Sequence, residues 1–248
     1  MAGDWVVSRT DRDADFRLFC LPYAGGGSTL FRSWPAQLEF DVLAVELPGR
    51  GRRFAEPCAV QMDEIVEPLL KAMAPYLDRP FGFYGHSLGA MISFELSHAC
   101  RRELGLEPEL LITAASVPPR REPKRDRSGP DDDAIKQRLR LAGGTPPEAL
   151  ENKELMALLM PTLKGDFALI DGYYSRQTSK LSCRLTAIAG ADDPLFPPST
   201  VNAWAAETSG EFRRFVLPGG HFFMRESESA LLSLLAALVD QQQASVLV

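Results

Sequence analysis

The chain has only 3 histidines and 4 cysteines in 248 residues. Cys20, Cys58, Cys100 and Cys183 lie far apart and form no C-x-x-C pair, which excludes the usual zinc and redox motifs. No apolar run approaches the roughly 18 residues of a membrane span. The most apolar late stretch, LLSLLAALV at 231–239, is about half that length. The first residues, MAGDWVVSRTDRDADF, scatter charges where the apolar region of an export signal would sit. Reduced thiols in the cytoplasm are therefore expected. There is no excess of positive charge: 27 Lys and Arg face 33 Asp and Glu, a net charge of −6. That balance argues against broad binding to nucleic acid or anionic membrane. The glycine-rich stretch PYAGGGS at 22–28 has neither the G-x-G-x-x-G nor the G-x-x-x-x-G-K-[ST] pattern, so nucleotide binding is not expected there.

What is present is an alternation of apolar runs and amphipathic stripes. FRLFCL (16–21), VLAVEL (42–47), FGFYG (81–85), ELLITAAS (109–116), RLTAIAG (184–190) and FRRFVL (212–217) read as strands buried on both faces. Between them, Met62, Ile65, Val66, Leu69, Leu70 and Met73 form one helical stripe, and Leu231, Leu234, Leu235 and Leu238 another. The expected fold class is α/β: a single domain over 1–248 with a mostly parallel sheet covered by helices on both faces. Residues 117–183 contain no clear strand, although a crossover needs only about a dozen residues. This segment opens with charged, Pro-rich PPRREPKRDRSGPDDD and continues in helical patterns, and is read as a helical lid over the site.

The chemistry concentrates at FYGHSLGAM (83–91), where Gly85-His86-Ser87-Leu88-Gly89 matches G-x-S-x-G. The motif sits between a strand and a helix, the setting of a nucleophile elbow, so Ser87 is the candidate nucleophile. The base follows by elimination. His86 lies in the elbow and is assigned to local packing. His98 lies about three turns into the next helix and is structural or surface-exposed. His221, in the loop LPGGHFF after the last strand, remains. The chain order Ser, acid, His places the acid in AIAGADDPLF, with Asp193 or Asp192 as candidates. Asp193 is favoured because Pro194 biases its predecessor to an extended backbone that can aim the carboxylate. The oxyanion donors should be the Leu88 N–H and an N–H of the 22–28 loop, Ala24 or alternatively Gly25.

The stretches LFCLPYAGGGSTLFRSW, VELPGRGRRFAEP, FGFYGHSLGAMISFEL, GGTPPEAL, LMPTLKGDF, AIAGADDPLFPP and LPGGHFFM together resemble the stand-alone type II thioesterases of polyketide and non-ribosomal peptide biosynthesis, members of the α/β-hydrolase superfamily. The resemblance runs from about residue 16 to 224. It implies Ser87, Asp193 and His221 as the catalytic residues. It also implies Leu88 and the Tyr23–Gly25 loop at the oxyanion hole, with Tyr23 standing where many relatives carry histidine. The implied substrate is an acyl thioester on the phosphopantetheine arm of a carrier protein, removed to edit misprimed or stalled synthases. No cofactor of its own is implied, and monomer is the default state. A general carboxylesterase or lipase, or an inactive scaffold, would share the fold. Within the lid, Met156, Met160 and Phe167, with Leu155, Leu159 and Tyr173, either line an acyl channel or form the lid's own core. The basic stretch 120–127 is a candidate for docking the carrier.

Overall fold

The computed structural model describes residues 5–8, 14–119, 122 and 130–246. Seven strands form one sheet: β1 (Val6–Ser8), β2 (Arg17–Leu21), β3 (Asp41–Val45), β4 (Phe81–His86), β5 (Leu110–Ala114), β6 (Arg184–Gly190) and β7 (Phe212–Leu217). Their order is β1-β3-β2-β4-β5-β6-β7, parallel except for β1, which pairs antiparallel with β3. The helices include α1 (Asp63–Met73), α2 (Leu88–Ala99), α3 (Asp132–Ala142), α4 (Pro147–Glu151), α5 (Lys153–Gly172), α6 (Phe223–Glu226) and α7 (Glu228–Val246).

The period of two along each strand sorts its side chains onto two cores. Phe19, Leu21, Leu43, Val45, Phe81, Phe83 and Leu111 face the core with α1 and α2. Leu18, Cys20, Val42, Ala44, Tyr84 and Ile112 face the other core, with Phe31, Trp34 and α7. The six residues of the predicted α1 stripe are all buried. So are Leu231, Leu235 and Leu238 of α7.

Two features differ from the sequence reading. The short antiparallel β1 was not anticipated, because three residues carry no periodicity. β7 is an edge strand of alternating half-buried and exposed residues, with Val216 42% exposed, rather than a strand buried on both faces. Nothing pairs beyond it among the described residues, so Arg213 and Arg214 reach solvent.

Residues 130–172 supply α3, α4 and α5. These helices share a small core of Ile135, Leu150, Met156, Met160 and Leu163, separate from the two cores flanking the sheet. Of the basic stretch 120–127, residues 120, 121 and 123–127 lie outside the described residues.

The strand order reverses between β2 and β4: the chain leaves β2 for β3 on one side and returns to β4 on the other. The carboxyl ends of such neighbouring strands open into a crevice, the common ligand site of open α/β sheets. The 22–27 loop and the G-x-S-x-G turn both emerge there.

Candidate active site

Ser87 links β4 to α2 with φ 55° and ψ −112°, a backbone that side-chain-bearing residues rarely adopt. The strain costs on the order of 1–3 kcal/mol and persists because the surroundings over-determine it. The Ser87 N–H donates to the Ala114 carbonyl at 2.8 Å, and the Ser87 carbonyl accepts from Ala90 at 3.0 Å. A Cβ on Gly85 would collide with the Gly89 backbone, and one on Gly89 with the Leu21 carbonyl. Both glycines of the motif are therefore needed for close backbone approach.

His221 stands on the loop after β7. Its Nε2 lies 3.2 Å from Ser87 Oγ and its Nδ1 2.9 Å from Asp193 Oδ2. The carboxylate fixes the tautomer: Nδ1–H donates to Asp193, leaving Nε2 to accept from the Ser87 hydroxyl. Asp193 Oδ1 accepts the N–H groups of Leu195 at 2.8 Å and Phe196 at 3.1 Å. Burial pushes the Asp193 carboxyl up, but the hydrogen bond and charge of His221 and the two N–H groups outweigh it. The carboxyl ends below its ordinary value. Asp192 is exposed, and its N–H donates to the Gly219 carbonyl at 3.0 Å, tying the acid loop to the histidine loop.

His86 does more than pack. Its Nε2–H donates to the main-chain carbonyl of His221 at 2.7 Å, and its Nδ1 accepts the Tyr84 hydroxyl at 3.2 Å. Burial, then the charge of His221, lowers its pKa to about 3, so it is neutral at working pH and holds the base in place. His98 is buried in α2 against Phe94 and takes no part in the site.

Two backbone groups in the turns that meet at Ser87 have no acceptor among the described residues: the N–H of Leu88, first residue of α2, and the N–H of Ala24. The Gly25 N–H, the alternative donor, is occupied. It donates to Asp166 Oδ2 of α5 at 2.7 Å. Asp166 also takes two bonds from Arg50: Nη1 to Oδ2 at 2.8 Å and Nη2 to Oδ1 at 2.7 Å. At the other end of the loop, Ser28 donates its N–H and hydroxyl to buried Glu46 at 3.1 and 2.8 Å. Sequence reasoning missed Asp166, Arg50 and Glu46. A signal existed for Asp166: Met156, Met160, Leu163 and Leu169 are buried at helical spacing, and Asp166 occupies the same face.

Beside Ala24, Gly25 and Phe222 lies a cavity of about 300 Å³, walled by Phe54, Leu139, Met156, Leu158, Leu159 and Leu163 among others. Of the residues expected at a channel, Met156 and Leu159 line it. Met160 and Phe167 do not: Met160 is buried in the core shared by α3, α4 and α5, and Phe167 packs against it. Leu155 is partly exposed, and Tyr173 packs against the main core near buried Glu95. Among the described residues no group of three or more His, Cys, Asp or Glu is arranged to hold a metal ion.

A serine, an aspartate and a histidine in that chain order, linked through the histidine at the carboxyl edge of a mostly parallel sheet, define a protein of the α/β-hydrolase fold. Residues 16–239 match the thioesterase domain family, and the chain belongs to that family. It is 34% identical over 244 residues to the Brevibacillus parabrevis protein named linear gramicidin dehydrogenase LgrE, covering 95% of this chain and 92% of that one. The solved structure of RedJ, a thioesterase from the prodiginine pathway of Streptomyces coelicolor, superposes with a TM-score of 0.83 at 32% identity over 91% of each chain. BorB, the type II thioesterase of the borrelidin cluster, superposes with a TM-score of 0.80 at 32% identity, over 94% of this chain and 96% of its own.

Proposed function

We propose that this chain is a serine thioesterase of the type II kind. It hydrolyses acyl groups from the phosphopantetheine arm of acyl- or peptidyl-carrier proteins and so clears misprimed or stalled polyketide or non-ribosomal peptide synthases. The observation that carries the reading is the Ser87–His221–Asp193 chain of hydrogen bonds beside two N–H groups without acceptors. His221 Nε2 takes the Ser87 proton as Oγ attacks the thioester carbon. The carbonyl electrons move onto oxygen, where Leu88 and Ala24 N–H groups hold the charge. Collapse breaks the C–S bond, and the thiol leaves with the proton from His221. Water then attacks the acyl-enzyme with His221 again as base, releasing a carboxylic acid and free Ser87. Asp193 stays ionised throughout and steadies the imidazolium.

The acyl chain is assigned to the 300 Å³ cavity, with helices α3–α5 as the lid and Met156 on its wall. Arg50 at that wall is neutralised by Asp166, Arg225 lies at the Tyr23 and Phe222 end, and most of the other lining residues are apolar, so the body of the cavity suits an uncharged chain. The dehydrogenase in the name of the Brevibacillus relative gains no support from this chain. Its glycine-rich loop feeds the short 3₁₀ turn Ser28–Phe31 rather than a long helix, and buried carboxylates of Asp166 and Glu46 already hold the Gly25 and Ser28 N–H groups. A pyrophosphate needs those donors and a helix N-terminus.

The test compares acyl groups on carrier proteins with the matching free thioesters and oxygen esters. Faster release from the carrier is expected, and Ser87→Ala should lower kcat by roughly 10⁴–10⁶. Equal or better turnover of free oxygen esters would make the protein a general esterase instead.

A further inference from the structure

A buried ion pair, Asp166 with Arg50, ties α5 to the loop that carries Ala24. Asp166 is 1% exposed and Arg50 8%. Besides the bidentate pair, Arg50 donates to the Gly26 carbonyl at 3.1 Å and the Pro48 carbonyl at 3.3 Å. A buried ion pair is costly to desolvate, and apolar side chains would seat α5 as well or better. What an apolar pair cannot do is hold a backbone N–H.

We infer that Asp166 and Arg50 are positioning residues that aim the Ala24 N–H at the oxyanion, an inference that rests on the proposed hydrolysis. The loop shows how. The Tyr23 carbonyl accepts the Gly26 N–H at 2.9 Å, closing a tight turn. In a trans peptide the carbonyl and the following N–H point in opposite directions. Fixing the Tyr23 carbonyl therefore fixes the Ala24 N–H, and the turn keeps that plane only while Gly25 and Gly26 stay in place. Asp166 holds the Gly25 N–H and Arg50 holds the Gly26 carbonyl, one on each side of the next peptide. Gly25 sits at φ 76°, and a Cβ there would stand 2.9 Å from Leu163 Cδ2, so α5 also packs directly against the turn.

The charge balance fits the same role. A lone carboxylate beside a developing oxyanion would oppose it. Paired with Arg50, Asp166 can take the Gly25 N–H without leaving net negative charge next to the reaction. The device also connects the two halves of the site. Leu163 and Thr162, one turn before Asp166, line the acyl cavity together with Gly25 and Arg50. The helix that forms the acyl wall therefore also sets the geometry of the oxyanion donor.

Removing one partner of a buried pair leaves an unpaired charge, so the decisive variant is the double exchange Arg50→Met with Asp166→Leu, which leaves none. Its folding is checked by a cooperative thermal melt. Three quantities are then compared with wild type on a free octanoyl thioester. These are kcat and KM, the affinity of a trifluoromethyl ketone analogue that forms a tetrahedral adduct with Ser87, and the affinity of a thioether analogue lacking the carbonyl. Deleting an oxyanion donor costs about 10²–10³ in kcat, so misaiming one should cost about 10–100-fold. The ketone should weaken by the same factor, while KM and thioether binding change less than about threefold. Arg50→Lys, which keeps the charge and the Asp166–Gly25 bond, should recover most of kcat. A folded double variant with kcat and ketone affinity within threefold of wild type overturns the inference. Equal weakening of ketone and thioether overturns it too, since the pair would then only shape the pocket. Failure of the underlying reading looks different: wild type would not bind the ketone, or Ser87→Ala would stay active.

Discussion

His86 illustrates how a neighbour of the proposed nucleophile, Ser87, can act without touching substrate. Its imidazole must be neutral, with the proton on Nε2, to donate to the His221 carbonyl while accepting from Tyr84. Burial favours that neutral form and lowers the pKa from 6.5 to about 3. The sign of the linkage follows. Below pH 6.5 the unfolded chain takes up a proton here that the native state refuses, so stability from this group is complete above 6.5 and is lost as pH falls toward 3. One such proton contributes a slope of up to about 1.4 kcal/mol per pH unit. His86→Gln keeps an N–H donor for the carbonyl but does not titrate. Its urea midpoint should therefore fall less steeply than wild type between pH 6.5 and 4, and identical slopes would show that His86 is charged in the native state. The two aspartates of the acid loop make a second comparison at this scale. Asp193→Asn leaves the shape but disturbs the His221 tautomer, and kcat should drop by about 10⁴. Asp192→Asn alters an exposed side chain and should leave kcat within about twofold. The reverse ranking in steady-state assays would move the acid to Asp192.

At the scale of elements, the elbow was legible because its chemistry is local: two glycines, an apolar strand before and a helix after. The central strands were legible because burial on both faces makes them unbroken apolar runs. β7 was over-read for the same reason, since Phe212, Phe215, Val216 and Leu217 outweigh two arginines whose exposure depends on the edge position. Helices α3–α5 were legible as helices, but not which side faces what. α5 is apolar on more than one face, so Met156 and Met160, one turn apart, take different roles: one on the cavity wall, one wholly in the lid core. The sequence reading put Ala24 ahead of Gly25 as the second donor, but the bond that occupies the Gly25 N–H was out of reach for a different reason: its acceptor lies 141 positions away, which no local pattern encodes. The two methionines separate by experiment. Met160→Ala should destabilise by about 2–3 kcal/mol through the void it leaves, with the ranking of acyl chains unchanged. Met156→Ala should shift the preferred acyl chain toward longer or bulkier groups. A panel of thioesters combined with thermal melts reads both, and identical selectivity in the two variants would remove Met156 from the acyl wall.

Across the whole molecule, stability is distributed unevenly, and the site lies on the boundary. The two cores flanking the sheet hold nearly all the large buried side chains, whereas α3–α5 have five buried residues in a core of their own. α3 buries only Ile135. α5 is anchored instead by specific bonds, with Asp166 to Arg50 and Gly25, Thr162 Oγ1 to the Gly49 carbonyl at 2.8 Å, and Leu169 in the main core. An element with few buried apolar contacts opens at lower free energy than the sheet it covers. Amides of α3 and α4 should thus exchange with deuterium by a local opening, well before those of β4 and β5, which wait for global unfolding. The second half of α5, from Thr162 onward, should follow the sheet more closely because its anchors are buried. On the proposed assignment, an alkyl fluorophosphonate on Ser87 would lay its chain in the cavity against Met156, Leu159 and Leu163, and should slow exchange in α3–α5 while leaving the already protected strands unchanged. Equal slowing by a methyl fluorophosphonate, too short to reach that wall, would mean that the adduct at Ser87 orders the lid by itself and that the acyl chain lies elsewhere.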